Sequence, residues 1–554
     1  MIQETAEERA LHLSPRAKLE ILFAMLLAMF LFALDQTVVG VALPKILTEL
    51  NGNELYTWSV AVYLLTSTIS GPIYGKLSDL YGRRPIVIFA VALFLISSAG
   101  AGLSNTKELF ILFRGLQGLG GGAVFPIALA VVADLYTPAE RGKYLGSFGA
   151  VFGLSSVIGP ALGGIITDTW GWHWIFFINI PIGLVALFIL WRLLPAIKHP
   201  DAGRNIDYLG AAVFTAAVSP FLIGLTNKQS ANWTDPAVGG LMALGLAMAA
   251  VFVWVESRAV DPIVPLGLFR LRTFTISVAA MFLAGFGFLT AIVFLPRWFQ
   301  GVAGASATVS GYNLLPLLLG LIVSATLSGQ IVARVGRYKW LMVGSLALLG
   351  LALFLMTNLR TETDRPVLWL WMALAGLGIG PSFAVFTLIV QNAVSPDRIG
   401  AATSSLTFFQ QIGGTVGLTI AGTLFGERLK TEIPTQLLAA GVPQPLVDAF
   451  ASSGGNVQDL SGTGDLGATI LNATPEAFRP VVEPLIPNIV EGIHEAVSIS
   501  IANTFWVGIV AALVAAVLVV FLREVPMRTT FEGGADLREG ERRDDARAAS
   551  VSSG

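Results

Sequence analysis

The chain has no cysteine in 554 residues, which excludes disulfides, thiolate metal sites and thiol nucleophiles and leaves the redox compartment unread. Charge is also scarce. Asp, Glu, Lys and Arg make up 13% of the residues, where a soluble domain carries about a quarter. The formal net charge is −2 and no basic stretch interleaved with aromatics occurs, so nucleic acid is not an expected partner. Four scattered histidines make no metal cluster, and no metal or cofactor is expected. The phosphate-cradling pattern G-x-x-x-x-G-K-[S/T] is missing, since Gly142-Lys143 is followed by Tyr144. That argues against an ATP-driven machine. No Ser/His/Asp arrangement falls at one depth, and an enzyme is not expected.

What is abundant is apolar surface. Hydrophobic residues are 54% of the chain and the mean hydropathy is +0.73, more than water can solvate, so lipid must be the solvent for much of it. Fourteen apolar runs of spanning length begin near residues 20, 56, 86, 108, 144, 172, 208, 237, 273, 310, 339, 367, 402 and 495. The first is read as a retained span, because it runs far beyond the short core of a signal peptide. An even number of spans puts both termini on one side. With that side cytoplasmic, the inner segments hold 24 of the 34 Lys and Arg and the outer segments nine, which sets the termini inside a cell membrane.

The chain repeats itself. Gly75, Gly82 and Arg83 recur at Gly329, Gly336 and Arg337; Gly118, Gly120 and Gly122 recur at Gly376, Gly378 and Gly380; Gly159 maps onto Gly413. The expected organisation is an all-α polytopic membrane protein of two six-helix repeats plus two inserted helices. Its parts are a cytoplasmic N-terminus (1–19), an N-terminal half (20–195), two linker helices (196–260), a C-terminal half (261–523) and a disordered cytoplasmic tail (524–554). Residues 427–494 are expected as a long outer loop between the last two spans, a place for an envelope partner or a lipid. Paired repeats around a central site are an architecture of secondary transporters.

Three motifs stand out. The loop after the second span reads Gly75-Lys76-Leu77-Ser78-Asp79-Leu80-Tyr81-Gly82-Arg83-Arg84. Its glycines permit a tight turn and close helix approach, and Asp79 offers an acceptor for an Arg or a helix N-terminus, a latch that must break when the bundle rocks. The fourth span carries Arg114-Gly115-Leu116-Gln117-Gly118-Leu119-Gly120-Gly121-Gly122, an arginine inside hydrocarbon followed by a close-packing surface. The fifth has Gly146 and then Gly159-Pro160-Ala161-Leu162-Gly163-Gly164, a bendable helix of small residues.

With Leu34-Asp35-Gln36-Thr37-Val38-Val39, Trp58, Tyr63 and Asn179-Ile180-Pro181-Ile182-Gly183, these motifs resemble the fourteen-helix drug:proton antiporters of the major facilitator superfamily. The resemblance implies a monomeric exporter driven by proton entry, with a cavity open alternately to each side and lipophilic small molecules as cargo. The motif of the fifth span is the antiporter mark of that family. Gly40, Ser155, His173 and Gln410 depart from the family pattern, and Gly40 and Gln410 bear on the substrate class. Export of a lipid, glycolipid or siderophore on the same fold is the competing reading.

Away from the span ends, Asp35 and Arg114 are the two residues that ordinarily carry charge. They lie roughly 13 Å and 9 Å from the outer ends of their spans at 1.5 Å per residue, close enough in depth to pair if the helices face one another. A carboxyl group in low dielectric favours its protonated form and a guanidinium beside it favours the ion, so moving the arginine would switch proton binding. Around this pair Trp58, Tyr63, Gln117, Asn313, Phe408 and Phe409 are expected to line the cavity, where aromatic walls and amides suit lipophilic cations.

Overall fold

Lipid gives a backbone N–H or C=O no partner, so a chain this apolar must satisfy its main chain within each segment. The computed structural model describes residues 13–50, 56–195, 206–228, 231–452, 466–474 and 479–525, and the elements among them are all helical. Fourteen long helices follow among the described residues: α1 (Pro15–Glu49), α2 (Tyr56–Tyr81), α3 (Arg83–Gly102), α4 (Lys107–Leu135), α5 (Pro138–Thr169), α6 (Trp174–Leu193), α7 (Tyr208–Asn227), α8 (Pro236–Glu256), α9 (Arg272–Gly301), α10 (Thr308–Val335), α11 (Lys339–Met356), α12 (Arg365–Ala393), α13 (Ile399–Ala439) and α14 (Ile486–Val520). Eleven are long and apolar enough to cross a membrane. The other three, α2, α5 and α13, have 26, 32 and 41 residues but are diluted by Gly, Ser and Thr. Many of those small residues face other helices, where packing rather than lipid sets the composition.

The sequence repeat is a packing repeat. In the first half α1 lies on α5 and α4 on α2 and α3; in the second, α9 lies on α13 and α12 on α10 and α11. Across the halves α5 packs on α10, and α13 on α2, as a twofold relation requires. The repeated glycines make these approaches possible. A Cβ on Gly120 would lie 2.6 Å from the Phe94 nitrogen of α3, and one on Gly378 would lie 2.5 Å from the Leu349 nitrogen of α11. Gly118 and Gly376 meet α2 and α10 in the same way, and Gly159 and Gly413 meet α1 and α9. Gly82 and Gly336 both have positive φ, 92° and 70°, where a β-carbon would strain the turn.

The inserted pair α7–α8 is not a spacer at the periphery of one half. It packs against α2 of the first half and α13 of the second, with Phe214 against Phe408 at 5.0 Å between ring centres.

Two expectations differ from the structure. Residues 427–494 are not a loop where they are described. Helix α13 continues to Ala439, short helices cover Gln444–Ser452 and Leu466–Ala473, and α14 begins at Ile486. Leu429, Ile433, Leu437, Val442, Val447, Ile470, Val482, Ile489 and Ile493 join the core of the second half, so apolar spacing within the segment built a packed cap. The cap lies at the end of α13 remote from its N-terminus and at the start of α14. The tail expected from 524 onward is ordered at its start: Glu524 accepts from the backbone N–H groups of Tyr338 and Lys339 at 3.0 and 2.9 Å, capping α11. Residues 1–12, 196–205 and 526–554 lie outside the described residues.

Candidate functional site

The buried polar centre of the first half is assembled from four helices. Asp35 of α1 is 1% exposed and accepts hydrogen bonds from three side chains. Arg114 Nη1 of α4 reaches its Oδ2 at 2.6 Å, Gln117 Nε2 reaches Oδ1 at 2.8 Å, and Asn179 Nδ2 of α6 reaches Oδ1 at 3.3 Å. The same Arg114 nitrogen also donates to Gln117 Oε1 at 2.7 Å. Ser98 of α3 accepts from Gln117 at 3.2 Å and from Asn179 at 2.9 Å, and donates to the Phe176 carbonyl at 3.1 Å. Arg114 and Gln117 are three residues apart, so one face of α4 presents both to Asp35.

Tyr63 of α2 closes this centre. Its ring lies 4.3 Å from Arg114 Cζ, a cation–π contact, and stacks with Phe32 at 5.8 Å. Its hydroxyl and Arg114 Nε are buried without a hydrogen-bond partner, so the charged group is held by some of its donors and not all. An arginine tied by a subset of its five donors is restrained yet able to exchange partners.

A second polar cluster joins the halves on the side where α1 begins, marked by Lys18 over the Tyr136 ring at 5.8 Å. Asp79 at the end of α2 pairs with Arg83 and accepts from the backbone N–H groups of Gly400 and Ala401, at 3.1 and 2.8 Å. It therefore sits at the N-terminus of α13, where the helix dipole favours an anion. Arg83 also donates to Asp134 at 2.9 Å and to Ser78 at 2.7 Å, and Arg84 to the Trp191 carbonyl. Gly75 makes this approach possible, because a Cβ there would enter the Ser404 side chain and come within 2.9 Å of the Gly400 carbonyl. Further interhalf bonds run from Arg141 to Gln391 at 3.4 Å, from Gln391 to the Leu129 carbonyl at 3.3 Å, and from Thr68 to Gln411 at 3.1 Å.

The structure thus brings together Asp35, Arg114, Gln117 and Tyr63, and separately Gly75, Asp79, Gly82, Arg83 and Arg84. It does not bring Asn313, Phe408 and Phe409 to Asp35. Asn313 is tied to Trp369 Nε1 at 3.0 Å near the start of α10. Phe408 and Phe409 meet edge to face at 5.3 Å and reach Phe214 and Phe269, at 5.0 and 5.9 Å, facing the inserted pair and the turn before α9. The inserted helices supply a lateral apolar partner, and the two aromatics bury area there. Trp58 is half-buried, one and a half turns before Tyr63.

In α5, Gly159 packs on Thr37, and a Cβ on Gly163 would lie 2.9 Å from the Val38 carbonyl of α1. Thr37 donates to the Ser155 carbonyl at 3.0 Å in the turn before Pro160. Gly164 faces open space instead of a neighbouring helix. Gly146 lies in α5, with its surroundings outside what the structure describes. Asn179 and Ser98 were missing from the expected site. Asn179 could have been singled out as an amide at the head of a buried helix, whereas Ser98 looks like any packing serine.

Comparison with known proteins agrees with this architecture. The Major Facilitator Superfamily model matches residues 25–418. The chain is 34% identical over 523 residues to the multidrug transporter protein MdtP of Bacillus subtilis (strain 168), covering 94% of this chain and 95% of that one. It is 33% identical over 515 residues to multidrug resistance protein 3 of the same organism, covering 92% and 96%. Among solved structures, the proton:xylose symporter XylE superposes with a TM-score of 0.58 at 14% identity, covering 94% of this chain and 99% of that one. The human organic anion transporter MFSD10 superposes with 0.54 at 16% identity, covering 74% and 94%. The chain is a multi-pass membrane transporter that belongs to the major facilitator superfamily.

Proposed function

We propose that the protein is a proton-coupled antiporter that exports lipophilic neutral or monocationic compounds from the cytoplasm across the cell membrane by alternating access. The observation that carries the reading is the buried Asp35 held by Arg114, Gln117 and Asn179 in one half of a two-half bundle. Removing one partner of a buried ion pair costs about 3–5 kcal/mol, because the other charge is left uncompensated. If rocking carries Arg114 or Gln117 away from Asp35, the carboxylate must gain a proton or a cationic substrate. Proton and substrate then compete for one acid, which is the requirement for exchange.

Asp79 provides the conformational half of the cycle. Its bonds to Gly400 and Ala401 close the bundle on the side where α1 begins, which this reading takes as cytoplasmic. They must break for substrate to enter from that side. The relatives' names, a multidrug transporter and a multidrug resistance protein, support a broad lipophilic substrate range over a single metabolite.

The test is a drug-susceptibility panel in a host stripped of its own pumps, combined with analysis of envelope lipids. Raised tolerance to several unrelated lipophilic compounds, lost on collapse of the proton gradient, is expected. Unchanged tolerance with an altered envelope would replace the drug reading by lipid or glycolipid export.

A further inference from the structure

Glu256, the last residue of α8, is 2% exposed, an unusual burial for a glutamate at a helix end. Its Oε1 accepts from the Val264 backbone N–H at 2.6 Å. Its Oε2 is buried with no hydrogen-bond partner. Asp207, which caps α7, repeats the pattern: Oδ1 accepts from the Gly210 N–H at 2.6 Å, and Oδ2 is buried without a partner. Both orphan oxygens point to one spot. A Cβ built on Gly210 would collide with Asp207 Oδ2 and lie 2.7 Å from Glu256 Oε2, so the two orphan oxygens flank one point.

Two ionised carboxylates are acceptors only and cannot bond to one another. Like charges so close and so dry do not both stay ionised. Among the described residues the other charged groups on the surrounding elements are Arg258 and Asp261 after α8, Arg270 before α9 and Arg272 at its first position, Lys76 and Asp79 on α2, and Asp397 and Arg398 before α13. Arg258 lies over the Trp254 ring at 4.2 Å, Asp79 is taken up by Arg83 and α13, and Arg398 faces Asp397 at 3.7 Å. Asp207 is the charged side chain set against Glu256.

We infer that Asp207 and Glu256 form a proton-binding site of the inserted helix pair, separate from Asp35, in which one proton bridges Glu256 Oε2 and Asp207 Oδ2. The bridge ties the first turn of α7 to the last turn of α8 and to the connector that leads into α9. Because α7 packs on both α2 and α13, the proton fastens a hairpin that lies across the seam between the halves. Loss of the proton sets two anions against each other and loosens it.

The test uses the purified full chain in nanodiscs and two readouts that need no transport, so the export reading stands or falls separately. The first is the infrared C=O stretch of protonated carboxyl groups at neutral pH. The wild type should show a band component that Glu256→Gln and Asp207→Asn each remove. The second is melting temperature against pH. A proton bound more tightly in the folded chain stabilises at low pH, and that stability is lost as pH rises through its release. The wild-type melting temperature should therefore fall with rising pH in a step that Glu256→Gln abolishes, since a glutamine amide donates to Asp207 without titrating. Asn at 207 keeps the helix cap, so one variant remains informative if the other folds poorly. An unchanged band and pH step in both variants would overturn the inference. So would a rise in wild-type melting temperature on adding magnesium or calcium that Glu256→Gln removes, which would assign the pair to a divalent cation.

Discussion

At the residue scale the informative feature is how Asp35 is held. Arg114 uses one nitrogen for both Asp35 and Gln117, and its guanidinium plane lies on Tyr63. A lysine has neither the fork nor the plane. Arg114→Lys should therefore lower the melting temperature and abolish coupled transport, although it keeps the charge. Asp35→Asn keeps one acceptor oxygen for Arg114 and turns the other position into an amide donor that no longer accepts from Gln117, so the fold should survive at less than the roughly 3–5 kcal/mol cost of deleting a buried partner outright. Substrate binding should persist while pH-gradient-driven efflux in proteoliposomes drops to the level of protein-free vesicles. Wild-type rates in that assay would remove Asp35 from the coupling step. This pair was legible in the sequence because no other charges lie deep in the spans. Of its supports Gln117 was legible too and Asn179 could have been read as an amide at the head of a buried helix, but Ser98 was not, since a packing serine carries no mark of what it faces.

At the scale of elements, the glycines sort by what they touch. In α5, Gly159 packs on Thr37 and Gly164 has nothing within 4 Å. Gly159→Ala forces α1 and α5 apart, an overpacking cost of about 1–3 kcal/mol, whereas Gly164→Ala should stay within about 0.5 kcal/mol of wild type. Thermal unfolding of the two purified variants separates them, and equal behaviour would show that the motif is not a packing device. The run of small residues was readable as a close-packing helix; which glycine of an adjacent pair makes the contact depends on rotation about the helix axis, which spacing alone leaves open. The same ambiguity misplaced Phe408 and Phe409. Their spacing fits a cavity wall, but they pack on Phe214 of the inserted pair and on Phe269 before α9.

The latch is also a property of elements. Asp79 caps α13 across the seam, and an anion at a helix N-terminus contributes about 0.3–1 kcal/mol when exposed and up to roughly 2 kcal/mol when partly buried. Asp79→Asn should shift the balance toward a bundle open on the side where α1 begins by roughly 5–30-fold, the ratio that one or two kcal/mol produces. The natural lack of cysteine makes this measurable without background. A single cysteine replacing Ser404, buried against Gly75, should react slowly with a maleimide in the otherwise wild-type chain and several-fold faster with Asp79→Asn. Identical rates would mean that the seam is held elsewhere, for example by Arg141 and Gln391.

At the scale of the whole molecule, the two halves divide the chemistry unequally. The first half holds Asp35 with Arg114; in the second, residues 273–296, 310–333 and 402–425, which should line the facing wall, contain no Asp or Glu. Among the described residues the other well-buried acids are engaged away from mid-depth: Asp79 and Asp134 with Arg83 at the seam, Glu256 at the end of α8, and Glu432 in the cap with Arg428 at 2.7 Å. A dication in low dielectric needs two countercharges, since each uncompensated buried charge costs several kcal/mol. A neutral compound needs none and a monocation one, which Asp35 supplies on releasing Arg114. Efflux of a monovalent dye such as ethidium should then greatly exceed that of a bisquaternary compound of similar hydrophobicity, measured in the same cells. Asp35→Asn should abolish the first and leave little of the second to lose. Equal efflux of both, with Asp35 the one acid required, would show that helix dipoles or span-end carboxylates such as Asp134 supply the second charge, and the single-acid account of selectivity would fail.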